Sequence, residues 1–132
     1  MNITNKYTVV FAPFAERHFI KTFAKKYRKA WDLTRLFLED EFRFFDVLFS
    51  KSIAETITDS REIKICKTEF KIAGTKESRH GSGNRCIVAI HKNTRVANVL
   101  LVYYKGDLNG KNETVSWKGL VKENYPEYFS VL

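Results

Sequence analysis

The segment Cys66–Asp107, CKTEFKIAGTKESRHGSGNRCIVAIHKNTRVANVLLVYYKGD, decides the fold. It reads as three successive strands. Cys66 to Ala73 alternates, with Cys66, Thr68, Phe70 and Ile72 on one face and Lys67, Glu69 and Lys71 on the other. Arg85 to His91 is rich in β-branched residues and follows a loop of Gly, Ser and basic residues, GTKESRHGSGN. Val96 to Tyr104 is almost continuously apolar, as expected of a central strand covered on both faces. The connector Lys92-Asn93-Thr94-Arg95 is short and polar enough for a hairpin. A basic, glycine-containing loop thus joins two paired strands, and positive side chains line one face beside it.

Working outward, the 132 residues are one domain's worth, 1–132, with 44% hydrophobic content and eleven Phe to build a core. The net charge of +8 points to a polyanionic partner, with plain solubility as the alternative. The two cysteines, Cys66 and Cys86, each fall inside an expected strand, which is neither a disulfide framework nor metal-ligand spacing. No metal or cofactor is expected. The opening residues lack the apolar run of a signal peptide and no stretch approaches a membrane span, so a cytoplasmic protein is expected, with no membrane partner.

Upstream, Tyr7 to Ala12 reads as a first strand and Pro13 as the first residue of a helix. Phe19, Ile20, Phe23, Ala24 and Tyr27 form its apolar stripe, and Arg17, Lys21, Lys25 and Arg28 its opposite face. That basic row is either a solvated face or a phosphate-contacting one. A second helix, Trp31 to Phe49, carries Leu38, Phe42, Phe45 and Phe49 on one stripe with Leu33, Phe37, Phe44 and Leu48 nearby. This apolar surface is wide enough to cover a sheet and still meet the first helix or a partner. Glu39, Asp40 and Glu41 point in different directions and read as solvent charges. Ser52 to Arg61 reads as a fraying end or connector. Downstream, KGDLNGKN, containing Lys105 and Lys111, is a turn-rich loop. Asn112 is expected to cap a helix from Glu113 to Asn124, which Pro126 stops.

The order β-α-α-β-β-β-α, with FKIAGTK, then GSGNRCIVAI, then VLLVYYKGD, resembles the RelE/ParE superfamily of small bacterial toxins. The likeness runs from about Tyr7 to Val121 as a pattern of elements plus one short motif. It implies an α+β fold with a small, curved, mainly antiparallel sheet and a helical hairpin packed on one face. Members similar to RelE cut messenger RNA in the ribosomal decoding site without a metal, by attack of a ribose 2′-hydroxyl on its own phosphate. They are silenced by an antitoxin, here expected to be acidic.

Carried over by position, the resemblance makes Arg85 the arginine opening the strand after the glycine turn. Lys71 becomes the basic residue of the preceding strand, and Lys105 the residue where the last strand ends. With Glu69 to move a proton, these four are the catalytic candidates. Lys67, Lys76, Arg79, His80 and Lys111 are the RNA-binding candidates. Two features need structure to decide. Glu69 can act beside Arg85 only if both share a sheet face, and Lys67, Glu69 and Lys71 also alternate as an ordinary solvent-facing strand does. The family commonly adds an Arg or His with a Tyr after the last strand. Here Gly106, Asp107 and Leu108 stand there, with Tyr103 and Tyr104 inside the strand. Two other functions therefore stay open: a ParE-like toxin that inhibits gyrase without chemistry, and a non-catalytic basic binding domain of phage or mobile-element origin.

Overall fold

Val96–Tyr104 is the strand about which the rest is arranged, at the boundaries its apolar run predicts. In the computed structural model, which describes residues 6–108 and 112–132, the described strands are β1 (Thr8–Phe11), β2 (Ala54–Asp59), β3 (Ile63–Phe70), β4 (Asn84–His91) and β5 (Val96–Tyr104). They form one sheet in the order β1-β5-β4-β3-β2. β1 runs parallel to β5 and every other pairing is antiparallel. The fold is therefore mixed α+β on a mostly antiparallel sheet, as expected.

Helical segments cover both faces. On one lie α1 (Pro13–Ala15), a π-helical turn (Glu16–Ile20), α2 (Lys21–Tyr27), α3 (Lys29–Arg43) and α4 (Phe45–Ser50). Their Phe23, Trp31, Leu38, Phe42 and Phe45 pack on Cys66, Phe70, Cys86, Val88, Val99 and Val102. On the other lie α6 (Glu113–Asn124) and a 3-10 segment (Pro126–Val131), whose Trp117, Val121, Tyr125 and Tyr128 pack on Ile65, Ile87, Leu100, Leu101 and Tyr103. α5 (Arg79–Ser82) lies in the loop between β3 and β4. The aromatic tail thus packs down on the sheet. Among the described residues no helix is long and apolar enough to cross a membrane.

Three sequence expectations change. Ser52 to Arg61 is not a connector but holds β2, a fifth strand pairing with β3. It is an edge strand, half exposed, with a bulge between Thr56 and Thr58, so its side chains never alternate cleanly. The strand expected from Cys66 to Ala73 starts earlier and ends at Phe70, because Ser60 closes the β2–β3 turn by bonding both backbone groups of Ile63. The helix expected from Trp31 to Phe49 is two, broken at Phe44, whose backbone leaves the helical region. Leu33, Leu36, Phe37, Phe44 and Val47 remain exposed on this outer surface.

Leu100 has no exposed surface, so Leu100→Asp buries an unpaired charge and costs several kcal/mol. The expected outcome is a large drop in melting temperature or loss of the folded state, read by circular dichroism. A variant melting like the parent would mean that β5 is not central.

Candidate functional site

The register of the sheet brings the polar candidates together at one end. Glu69 lies opposite Arg85 across β3–β4, and Arg85 lies opposite Tyr103 across β4–β5. The alternation that points Ile65, Ile87 and Ala89 toward α6 points Lys67, Glu69 and Arg85 the same way. Glu69 and Arg85 thus share a sheet face.

Arg85 is 3% exposed. A guanidinium so far from water needs acceptors within the protein. Its Nη1 donates to the Asn84 carbonyl at 3.0 Å and its Nη2 to the His80 carbonyl at 3.3 Å. Nη2 also pairs with Glu69 Oε2 at 3.1 Å, while Nε has no hydrogen-bond partner. Arg85, carried over as a catalytic candidate, does not face solvent. It is instead a buried clamp joining two strands to the turn before β4.

The same Glu69 oxygen lies 2.6 Å from His80 Nδ1. An ionised carboxylate can only accept, so Nδ1 carries the hydrogen and donates it. The imidazole is 83% exposed, which leaves Nε2 facing solvent. Its backbone is well held. The Ser78 side chain caps α5 by accepting from the Gly81 amide, and Ser82 Oγ donates to the Phe70 carbonyl at 2.6 Å. Arg79 donates to the Glu69 carbonyl at 3.0 Å and pairs with Glu41 of α3. A carboxylate fixing the tautomer and orientation of an imidazole whose far nitrogen is free is an arrangement suited to proton transfer.

Behind this pair, Tyr103 donates to Glu113 Oε2 at 2.7 Å, and Lys67 Nζ lies 3.1 Å from the same oxygen. Asn112 caps α6 as expected, accepting from the amides of Thr114 and Val115. Burial, then the bond to Glu113, raises the Tyr103 hydroxyl far above its ordinary pKa. Burial also works to raise Glu113, but the bonds from Tyr103 and Lys67 outweigh it and hold the carboxyl below its ordinary value.

The remaining candidates scatter. Lys67 is held by Glu113, and Arg79 is committed to Glu41 and the β3 backbone. Lys71 donates to the Thr75 carbonyl and lines a cavity of about 380 Å³ with Thr34, Phe37 and Glu41, on the α3 side of the sheet. Lys76 is exposed in the loop. Lys105 is exposed, and its amide donates to the Gly83 carbonyl at 2.9 Å, beside the turn that carries His80. Lys111 lies outside the described residues. Sequence reasoning gave His80 only an RNA-binding part and assigned no part to Glu113. Eleven residues separate Glu69 from His80 and no periodicity links them.

Compared with known proteins, no family model and no curated protein matches this sequence. Among solved structures, the chain is similar to the archaeal RelE–RelB complex from Pyrococcus horikoshii OT3. The TM-score is 0.46 at 14% identity, over 77% of this chain and 98% of that one.

Two outcomes are expected. Arg85→Ala removes charged hydrogen bonds from a buried site and costs about 1.5–3 kcal/mol of stability, with Arg85→Lys recovering only part because an ammonium does not reproduce the planar fork. Denaturant titration checks this. For Glu113 the folded-state pKa is depressed. Its stabilisation is therefore present above the ordinary glutamate value and lost as pH falls through the folded one. The acid limb of melting temperature against pH should be shallower in Glu113→Gln than in the parent.

Proposed function

We propose that the protein is a metal-independent endoribonuclease in which the Glu69–His80 pair moves the proton. The carrying observation is the imidazole held by Glu69 at 2.6 Å, with that carboxylate anchored in turn by a buried arginine. His80 Nε2 takes the proton of a ribose 2′-hydroxyl as O2′ bonds to phosphorus. The bond from phosphorus to O5′ then breaks, and O5′ takes a proton from water. The products are a 2′,3′-cyclic phosphate and a 5′-hydroxyl. Glu69 keeps its charge and stabilises the imidazolium, as an orienting carboxylate does. Lys105, at the edge of the same turn, and the exposed Lys76 supply positive charge for the phosphate. Lys71, on the other side of the sheet end, serves the approach of RNA.

The resemblance of the motifs to RelE-type toxins supports messenger RNA on the ribosome as the substrate, the cytoplasm as the site of action and an acidic antitoxin as partner. The +8 charge suits both polyanions. One observation favours a second reading. Arg85, which the resemblance would place on the phosphate, is buried with both Nη atoms committed to internal acceptors, as in a protein that binds a target such as gyrase without chemistry.

Cleavage of transcripts on programmed ribosomes tests the proposal. His80→Ala should lower the rate about 100-fold or more, the usual size of a general base's contribution. Glu69→Gln should lower it comparably while the protein stays folded, because an amide no longer enforces the same tautomer. A His80→Ala protein that cleaves like the parent removes His80 from the mechanism. A parent that stops growth yet cuts no transcript establishes the binding-only reading.

A further inference from the structure

The helix α3 is apolar on two opposed sides. Trp31, Thr34, Leu38 and Phe42 make its buried face. At about 100° per residue, Leu33, Leu36 and Phe37 point nearly the opposite way, out from the molecule. A helix that only covers a sheet needs one apolar face. Of the nine large hydrophobics exposed among the described residues, five lie between Leu33 and Val47, each 43–57% exposed. Such a concentration on one surface marks a contact site.

Charge indicates what covers it. Lys29 stands one turn before Leu33, and Asp40 one turn after Leu36, both within the apolar stripe. Lys29 has no ion pair among the described residues. Asp40 meets Arg43 at 2.8 Å, yet its side chain is still 73% exposed, and a carboxylate has room for more than one donor. Asp32 and Arg43 stand at one edge of the stripe, and Glu41 at the other, turned to Arg79. Lys29 and Asp40 are equally far from the midpoint of Leu33 and Leu36, about 8 Å along the axis on either side.

We propose that this face is an interface with a second copy of the chain, α3 crossing α3 antiparallel about a two-fold axis through that midpoint. The contact is then isologous. Lys29 of each copy meets the partner's Asp40, and Leu33 packs on the partner's Leu36 and Phe37. An acidic chain seated here would set its charge against Asp40, and a basic one against Lys29. The helix itself carries both signs in the order that an antiparallel copy requires. Phe44 and Val47 extend the apolar surface past Asp40, and the exposed Lys25, Lys26 and Arg28 extend the basic end past Lys29. The cavity of about 380 Å³ opens beside the stripe, sharing Phe37 and Asp40, so the partner's side chains meet a recess rather than a flat wall. The inference stands apart from the RNA reading, since none of these residues touches His80 or Glu69.

Sedimentation of the full chain over a range of concentrations tests it. The parent's mass should rise from 15.4 kDa toward twice that value. Phe37→Glu changes a side chain exposed in the single copy, so it should keep the parent's circular dichroism. It sets a charge in the apolar contact twice per dimer and should weaken association about 100-fold or more. Lys29→Asp and Asp40→Lys each create two like-charge contacts and should weaken it about tenfold. The double variant re-forms both pairs with the signs exchanged and should return to within about threefold of the parent. That rescue distinguishes the antiparallel register from a general loss of apolar contact. A parent that stays monomeric up to its solubility limit, or a Phe37→Glu chain that associates like the parent, overturns the interface. Single variants that weaken association without rescue in the double overturn the proposed pairing.

Discussion

A guanidinium with almost no surface in water must find its acceptors inside the protein, and that requirement at Arg85 governs the functional end of the molecule. One acceptor is the Glu69 carboxylate on the neighbouring strand, and another is the Asn84 carbonyl beside it. The third is the His80 carbonyl, which is within reach only because the chain turns back through α5 and the left-handed Gly83 just before β4 begins. Three elements thus converge on one cation. A buried pair of this kind adds little net stability over an apolar equivalent, because desolvation offsets most of the attraction. Its effect is on register. A slip of one residue would send Glu69 to the opposite face and strand the guanidinium without a counter-charge.

The two sides of the sheet solve different problems. On the hairpin side the core is aromatic: Phe23 stacks on Trp31 at 5.1 Å and meets Phe70 at 5.8 Å. The Thr34 hydroxyl accepts from the Ala73 amide at 2.8 Å and so ties the loop after β3 to α3. The parallel edge strand β1 is held at its start in a comparable way. Tyr7 donates to Asp46 of α4 at 3.0 Å, and the Arg95 guanidinium lies 3.8 Å from the Tyr7 ring centroid. Burial and Asp46 push that hydroxyl up to about 12. On the α6 side the core gives way, at one end only, to the layer of Lys67, Glu69, Arg85, Tyr103 and Glu113. The candidate site lies where apolar packing ends and the sheet's cross-strand pairs become charged.

The long periodic elements were legible because burial imposed a pattern on them. β5 is buried on both faces and so reads as a continuous apolar run, and α6 carries its own start and stop in Asn112 and Pro126. β2 was not legible, since an edge strand with half of its residues exposed and none buried has no apolar face to alternate. The breaks at Arg28 and Phe44 carry no Gly or Pro. Arg28 takes a positive φ of 52° with nothing in the local sequence to announce it, because it is the packing of α2 against α3 that demands the turn. At the site, the alternation placed Lys67 and Glu69 on one face as found, but Lys71 follows the end of β3 and lies on the α3 side, and nothing in the sequence marked Arg85 as buried. A charged residue opening an apolar strand looks the same whether it caps the strand or is buried beneath α6. The pairing of His80 with Glu69 could not be read, because it is a tertiary contact across the β3–β4 loop.

That contact also determines what kind of site this is. The Glu69 carboxylate is fixed by a buried partner on one side and orients an exposed imidazole on the other, so the carboxylate–imidazole arrangement is held by the protein itself. The α5 turn is fastened to β3 through Ser82 and Arg79, to α3 through Glu41 and to the end of β5 through the Lys105 amide. Its two ends serve opposite faces: Gly83 supports the Tyr104 ring on one, and His80 stands over Glu69 on the other.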